Sequence, residues 1–136
     1  SEDLYALAAY VNSLNRYAPS PDRNSDRSLT ASAKAGESLF ASKGCTTCHS
    51  NADLGGDGLT RHDIGTLKPA SGKVQGEALT GLVAPGLRDA WYTAPYLHDG
   101  SANTLEAAIR AHNTNTFTTA ELSSLAAYIR QIGNGQ

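Results

Sequence analysis

Two cysteines and a histidine fall within five residues: Cys45-Thr46-Thr47-Cys48-His49. Thiols one helical turn apart can each add to one vinyl group of the same porphyrin. The adjacent imidazole is then aimed at the iron, and C-x-x-C-H is the attachment pattern of c-type haem. A thioredoxin-like redox pair needs a βαβ setting, and no strand-like run follows. A Cys2His2 zinc site needs two histidines a few residues apart. His62 stands at a suitable distance from Cys48, but the next histidine is His98. The expected cofactor is therefore one haem c, bound covalently through Cys45 and Cys48 with His49 on the iron. The chain has only these two cysteines, so no disulfide is expected.

Haem iron of this kind usually takes a second axial ligand, often Met. The chain contains no methionine, which excludes a His/Met pair. The residues alone leave His62, His98, His112, a less common ligand such as Tyr or Lys, or an open position.

The elements that position these groups read as helices and loops. Residues 3–14 carry apolar residues at helical spacing, with Ser1 or Asp3 as candidate cap. Residues 121–132 repeat the pattern: an acidic residue, Leu, then Leu-Ala-Ala-Tyr and a β-branched residue. Residues 1–17 are accordingly expected to be an N-terminal helix left from a preceding, similar domain, although two amphipathic helices of like composition would look the same. Residues 18–31 read as a Pro/Ser linker. Residues 32–136 form the expected mono-haem domain. It opens with a helix over 32–44, with Ser32 as candidate cap and Gly36 and Phe40 on one face. Residues 51–85 are glycine-rich loop. Trp91, Tyr92, Tyr96 and Leu97 form an apolar cluster suited to a haem pocket or to an ordinary core. Thr104 caps a helix through about residue 112. Thr118 or Thr119 with Glu121 opens a final helix to Ile132, ended by Gly133. Gly36 and Phe40 are expected against Leu125 and Tyr128, because a glycine lets two helices approach closely. The predicted class is all-α with long Gly-rich loops, and the crossing resembles that of the terminal helices of class I cytochromes c.

Bulk properties narrow the function. The 136 residues suit one domain, and 40% hydrophobic against 18% charged residues is a globular composition. A formal net charge of -2 without a basic cluster argues against nucleic acid as a partner. No run of eighteen apolar residues exists to span a membrane. The start Ser1-Glu2-Asp3 carries no charged-then-apolar leader, as expected of a mature chain or a piece of a longer one. Bacterial c-type haem is attached outside the cytoplasmic membrane, so a periplasmic or extracellular location is expected.

Longer motifs carry a family resemblance. Ala84-Pro85-Gly86-Leu87-Arg88, the run from Thr93-Ala94-Pro95-Tyr96-Leu97-His98-Asp99-Gly100-Ser101, and Thr104-Leu105-Glu106-Ala107-Ala108-Ile109 are similar to the C-terminal haem domain of the bacterial di-haem cytochrome c peroxidase and MauG superfamily. Gly44 through Ser50, Asp57-Gly58 and His62-Asp63-Ile64-Gly65 also match, and the resemblance covers about residues 32–136. It implies a sixth ligand fourteen residues beyond the histidine of the T-A-P-Y-x-H-D-G segment, which is His112 here. His98 is the rival ligand, and otherwise a hydrogen-bonded residue near the haem. The resemblance implies that Arg88 compensates propionate charge; the alternative is a surface arginine. Asn51, Asp53 and Asp57 suggest a calcium loop only weakly, since no glutamate follows at the twelfth position.

Two functions compete. A six-coordinate bis-histidine haem transfers single electrons to a protein redox partner and needs no substrate pocket. A peroxidase or oxygenase needs an open or labile sixth site, and the related enzymes use two haems where this chain has a single C-x-x-C-H. The expectation is an electron-transfer module of a larger redox protein, monomeric as a domain. A secreted copper oxygenase is one conceivable acceptor that no residue here selects.

Overall fold

A computed structural model of the chain describes residues 2–14, 18–112 and 116–133. Ser1, one of the two candidate caps for the first helix, lies outside the described residues. Among the described residues four α-helices carry the fold: α1 (Glu2–Ser13), α2 (Ala31–Ser42), α3 (Leu105–Arg110) and α4 (Thr119–Arg130). The start of α2 differs from expectation. Thr30, in extended conformation, accepts from the Ala33 N–H at 3.3 Å and is the cap, so Ser32 already lies inside the helix. Thr104 caps α3 by accepting from the Ala107 N–H at 3.1 Å. That helix closes at Arg110, leaving His112 beyond its end.

Thr118 and Glu121 make the expected reciprocal cap of α4. The Thr118 hydroxyl accepts from the Glu121 N–H at 3.2 Å, and the Glu121 carboxylate accepts from the Thr118 N–H at 2.8 Å. The same carboxylate pairs with Lys43 Nζ at 2.8 Å, tying the start of α4 to the end of α2. These donors hold Glu121 down to about 2, the Lys43 ammonium first and the cap N–H next. A depressed carboxyl stabilises the fold fully above its unfolded value near 4.5 and loses that contribution as pH falls through about 2. The melting gap between the parent and Glu121→Gln should therefore be full at about pH 6 and close between about pH 4.5 and 2.

The packing of α2 on α4 organises the molecule. A Cβ on Gly36 would lie 2.0 Å from the Ser124 carbonyl oxygen and 2.8 Å from Tyr128 Cβ, so only glycine allows this approach. One turn later Phe40 meets the Tyr128 ring edge-on, with centroids 5.5 Å apart. Leu122, Leu125, Ala126 and Ile129 fill the inner face of α4. Ala126, Ile129 and Ile132 join Leu105 of α3 and Ala90 in one core cluster, with Leu87, Tyr96 and Tyr128 packed at its edge.

The glycine-rich stretch is loop, as its composition predicts, but it is not wholly without strands. β1 (Arg61–His62) pairs antiparallel with β4 (Leu82–Val83), and β2 (Lys73–Val74) with β3 (Glu77–Ala78). These two-residue ribbons make the domain mostly helical rather than all-α. Two to four bonded residues suffice to pin a loop when glycines turn it back on itself. The proline-containing segment before α2 is strapped down. Arg23 donates from Nε and Nη2 to the Gln131 carbonyl at 3.0 and 2.5 Å, and from Nη2 to the Gly133 carbonyl at 3.0 Å. Among the described residues, no helix is long and apolar enough to cross a membrane.

Candidate haem-binding site

The C-x-x-C-H segment follows α2 through a tight reversal. Gly44 takes the left-handed conformation at φ 76°, a turn that side-chain-bearing residues resist. Cys45–Thr47 then form a single 3-10 turn, and the His49 N–H donates to the Cys45 carbonyl at 3.0 Å. Both thiols are half-buried, one at the start and one at the end of this turn. Burial pushes the Cys45 thiol up. A reactive redox cysteine needs the opposite shift, so a thioredoxin-like role does not suit it.

His49 sits behind the helix crossing, its ring 6.1 Å from that of Phe40. Its Nδ1 lies 2.6 Å from the Leu54 carbonyl. A carbonyl only accepts, so Nδ1 carries the proton and Nε2 is left with its lone pair. Burial pushes His49 below its usual value against the pull of the Leu54 and Pro85 carbonyls, and the charges of His112 and His62 add to the depression. The neutral imidazole that a metal requires is thus the favoured form.

The Leu54 carbonyl is itself built with care. Leu54 stands at φ 52°, and its N–H donates to the Asn51 carbonyl at 2.8 Å. The Asn51 side chain accepts from Asp53 N–H at 3.0 Å and Gly55 N–H at 2.7 Å, and donates to the Gly56 carbonyl at 2.8 Å. Asn51 is therefore a positioning residue for His49, one that the reading of this stretch as a weak calcium loop overlooked. The signal was present: an Asn followed two residues later by a turn is an Asx-turn pattern. Asp57 is likewise committed, accepting from Leu59 and Thr60 N–H at 2.8 and 2.6 Å. Among the described residues no group of three or more carboxylates, histidines or cysteines is gathered as a metal cage would need. Asn51→Ala should cost about 2 kcal/mol of stability in chemical denaturation, since three hydrogen bonds of one turn are lost together.

The Ala84–Leu87 segment lies along this loop. Gly56 N–H donates to the Ala84 carbonyl at 2.9 Å and Leu87 N–H to the Asp53 carbonyl at 3.0 Å. Arg88 follows, with Nε 2.9 Å from Asp53 Oδ1.

His112 stands just past α3. Its Nδ1 is 2.9 Å from the Ala108 carbonyl, so it too carries its proton there and leaves Nε2 free. The two other histidines are placed differently. His98 is exposed, its Nε2 engaged by Ser71 Oγ at 2.8 Å beside the Lys68–Asp99 pair. His62 sits in the β1–β4 ribbon, near Cys48 and Asp57.

The aromatic cluster divides. Tyr96 packs on the core and donates its hydroxyl to the Ala90 carbonyl at 2.5 Å, whereas Tyr92 is 59% exposed. Trp91 lies half-buried against Tyr92, with ring centroids 4.7 Å apart. Among the described residues its indole N–H is buried without a partner, and so is Asp89 Oδ1. Buried polar atoms of this kind call for a group the protein chain does not supply. The donor set fits a haem: two thiols of one turn, two imidazoles whose protons sit on Nδ1, and a buried indole donor.

The comparisons with known proteins bear on this geometry. Residues 81–117 match a family model described as RoxA-like, cytochrome c-like. A cytochrome c551 peroxidase of Nitrosomonas europaea is 31% identical over 116 residues, 74% of this chain and 34% of the relative. The cytochrome c peroxidase Ccp of Escherichia coli is 34% identical over 102 residues, 65% of this chain and 21% of the relative. The methylamine utilization protein MauG of Methylorubrum extorquens is 37% identical over 93 residues, 62% of this chain and 26% of the relative. The chain is a c-type cytochrome domain resembling those of the cytochrome c peroxidase and MauG superfamily. Such a domain implies covalently bound haem c. The chain spans about a third or less of the length of these relatives. No solved structure matches it.

Proposed function

We propose that this cytochrome domain transfers single electrons through one haem c, attached at Cys45 and Cys48 and ligated by His49 and His112. One observation carries the reading: His49 and His112 each tie Nδ1–H to a backbone carbonyl, Leu54 and Ala108, so that Nε2 is in each ring the nitrogen with the lone pair a metal needs. His98 does not share this arrangement, since Ser71 already engages its Nε2. A bound haem supplies one-electron redox chemistry. The chain's residues do the rest. His49 and His112 would hold the iron and leave no position for peroxide or oxygen, which favours a relay over a peroxidase or oxygenase. The Trp91 N–H is the donor available to a propionate. Arg88 holds positive charge beside the His49 loop, and Tyr96 closes the pocket wall. His98 steadies the outer loops through Ser71.

We further propose that residues 32–136 are the haem unit, with a class I-like crossing of α2 and α4, and that residues 18–31 connect it to what comes before. The location is periplasmic or extracellular, where covalent haem attachment takes place, and the partner is a redox protein. The peroxidase and MauG names of the relatives suit membership in a larger redox protein. The deciding measurement is the absorption and electron paramagnetic resonance spectrum of the haem-loaded chain. Low-spin signals in both oxidation states, without rapid carbon monoxide binding, support the relay. A high-spin ferric signal or peroxide turnover would move the assignment to an enzyme.

A further inference from the structure

One buried acid takes no part in the chemistry described so far. Asp89 is 6% exposed, and among the described residues its Oδ1 has no hydrogen-bond partner. A dry carboxylate oxygen without a donor costs free energy, yet the backbone holds it there. Asp89 stands at φ 61°, in the left-handed region that side-chain-bearing residues rarely adopt. The turn around it is closed by the Ala90 N–H donating to the Leu87 carbonyl at 3.4 Å and by the Tyr92 N–H donating to the Asp89 carbonyl at 3.1 Å. Two costs thus fall on one residue, and the core beside it needs only Ala90. Backbone strain and unmet polarity gathered at one position mark a functional group.

The charged groups around Asp89 are few. Among the described residues Arg88 is the charge that acts on it and favours the ionised form, with its Nε 2.9 Å from Asp53 Oδ1. Burial is the larger effect and pushes the Asp89 carboxyl up. The polar groups of the elements packed behind Ala90 are engaged elsewhere. Tyr96 donates its hydroxyl to the Ala90 carbonyl, and Glu106 of α3 pairs with Arg130 of α4 at 3.8 Å. The same turn is tied to the surroundings of the iron. The Leu87 N–H donates to the Asp53 carbonyl at 3.0 Å, and Leu54, the next residue, holds His49 through its carbonyl. Trp91, two residues past Asp89, carries the indole N–H proposed above for a propionate. An electron added at the iron makes this region more negative, which favours the neutral form of a buried acid over the ionised one.

We propose that Asp89 exchanges a proton with solvent each time the iron changes charge, so that the domain carries an electron and a proton together. On reduction, ferric iron takes one electron from the redox partner, and the Asp89 carboxylate takes one proton from water, forming an O–H bond. On oxidation the electron passes to the next carrier, and that O–H bond breaks to return the proton to solvent. Linkage fixes the sign. Reduction tightens the carboxyl's hold on its proton, and the proton raises the affinity for the electron by the same factor. The reduction potential therefore falls as pH rises between the carboxyl's oxidised-state and reduced-state values, and is level outside that window. The inference rests on the haem relay proposed above.

The haem-loaded 136-residue chain provides the test. Asp89→Asn keeps the shape of the side chain, tolerates the left-handed backbone and cannot ionise. Asp89→Gly removes the acid at a backbone angle that glycine favours. Potentiometric titrations of the parent and both variants cover the range from about pH 4.5 to about pH 8. The parent potential should fall within that range, approaching a tenfold change in the redox equilibrium per pH unit, about 59 mV for one electron. Both variants should stay within about a twofold change over the whole range. Rapid reduction in unbuffered solution with an indicator dye should show proton uptake by the parent inside the window and little by either variant. Asp89→Asn should also melt higher than the parent at neutral pH. A raised carboxyl costs the fold nothing below its ordinary value of 3.8, and the cost grows as pH climbs through the folded-state value. That melting change alone would follow from a merely structural acid, so the potentials decide. An unchanged slope in the variants hands the proton to the haem propionates and overturns the proposal. A parent potential level across the range overturns it too. A high-spin or haem-free parent would instead count against the function proposed above.

Discussion

Replacing His112 by alanine should convert the ferric iron from low-spin to high-spin and open it to carbon monoxide in the reduced state, whereas His98→Ala should change neither. The contrast follows from the two side chains' partners. His112 spends Nδ1–H on the Ala108 carbonyl and has a free Nε2, while His98 is exposed and engaged through Nε2 by Ser71. Conversion is expected to be essentially complete, because no methionine is present to take the vacated position. His112→Met should restore six-coordination and raise the reduction potential, since a thioether donates less to ferric iron than an imidazole does. Spectra of the three variants at neutral pH, with a potentiometric titration of His112→Met, check all of this. If His98→Ala turns high-spin and His112→Ala does not, the ligand is misassigned but the relay survives. If neither variant changes spin state, the bis-histidine assignment fails.

Gly36→Ala is the second substitution with a large effect. Its new methyl carbon would meet the Ser124 carbonyl oxygen at 2.0 Å and Tyr128 Cβ at 2.8 Å. The first obstacle is backbone, so the helices themselves must separate. Overpacking of this kind costs about 3 kcal/mol, which lowers the melting point of a domain this size by about 15 °C. The damage should reach the haem as well. Phe40 lies between Tyr128 and His49, at ring separations of 5.5 and 6.1 Å, so a shifted crossing moves the ligand's neighbour. A variant that melts like the parent would mean that the crossing is looser than its geometry implies. Differential scanning calorimetry and the Soret band together report both effects.

Much of this was legible in the sequence because it depends on short spacings. C-x-x-C-H declares its chemistry within five residues. The pairing of Gly36 with an opposing helix follows from one missing side chain in an apolar stripe, and the Thr118–Glu121 cap follows from a three-residue interval. What escaped depends on contacts between loops. Asn51 signals an Asx turn, but not that the turn aims the Leu54 carbonyl at His49 Nδ1–H, because that needs Leu54 in a left-handed conformation. The two ribbons escaped for a similar reason: two-residue strands have no periodicity to read. Ser32 was the expected cap, but Thr30 holds the extended backbone angle and takes that place, a choice that spacing does not specify. The aromatic run from Trp91 to Leu97 reads as one cluster, yet the chain turns within it and sends Tyr92 outward and Tyr96 inward.

The clasp formed by Arg23 has a mechanical meaning. Its guanidinium grips the carbonyls of Gln131 and Gly133 at the far end of α4, and Gln131 returns a side-chain bond to Thr30 at 3.0 Å. A tug arriving along the chain from α1 is therefore delivered to the tail of α4, before it can reach α2. The segment from Cys45 to His49 lies beyond both. The domain can be towed by its leading segment without the load falling on the residues that would grip the porphyrin.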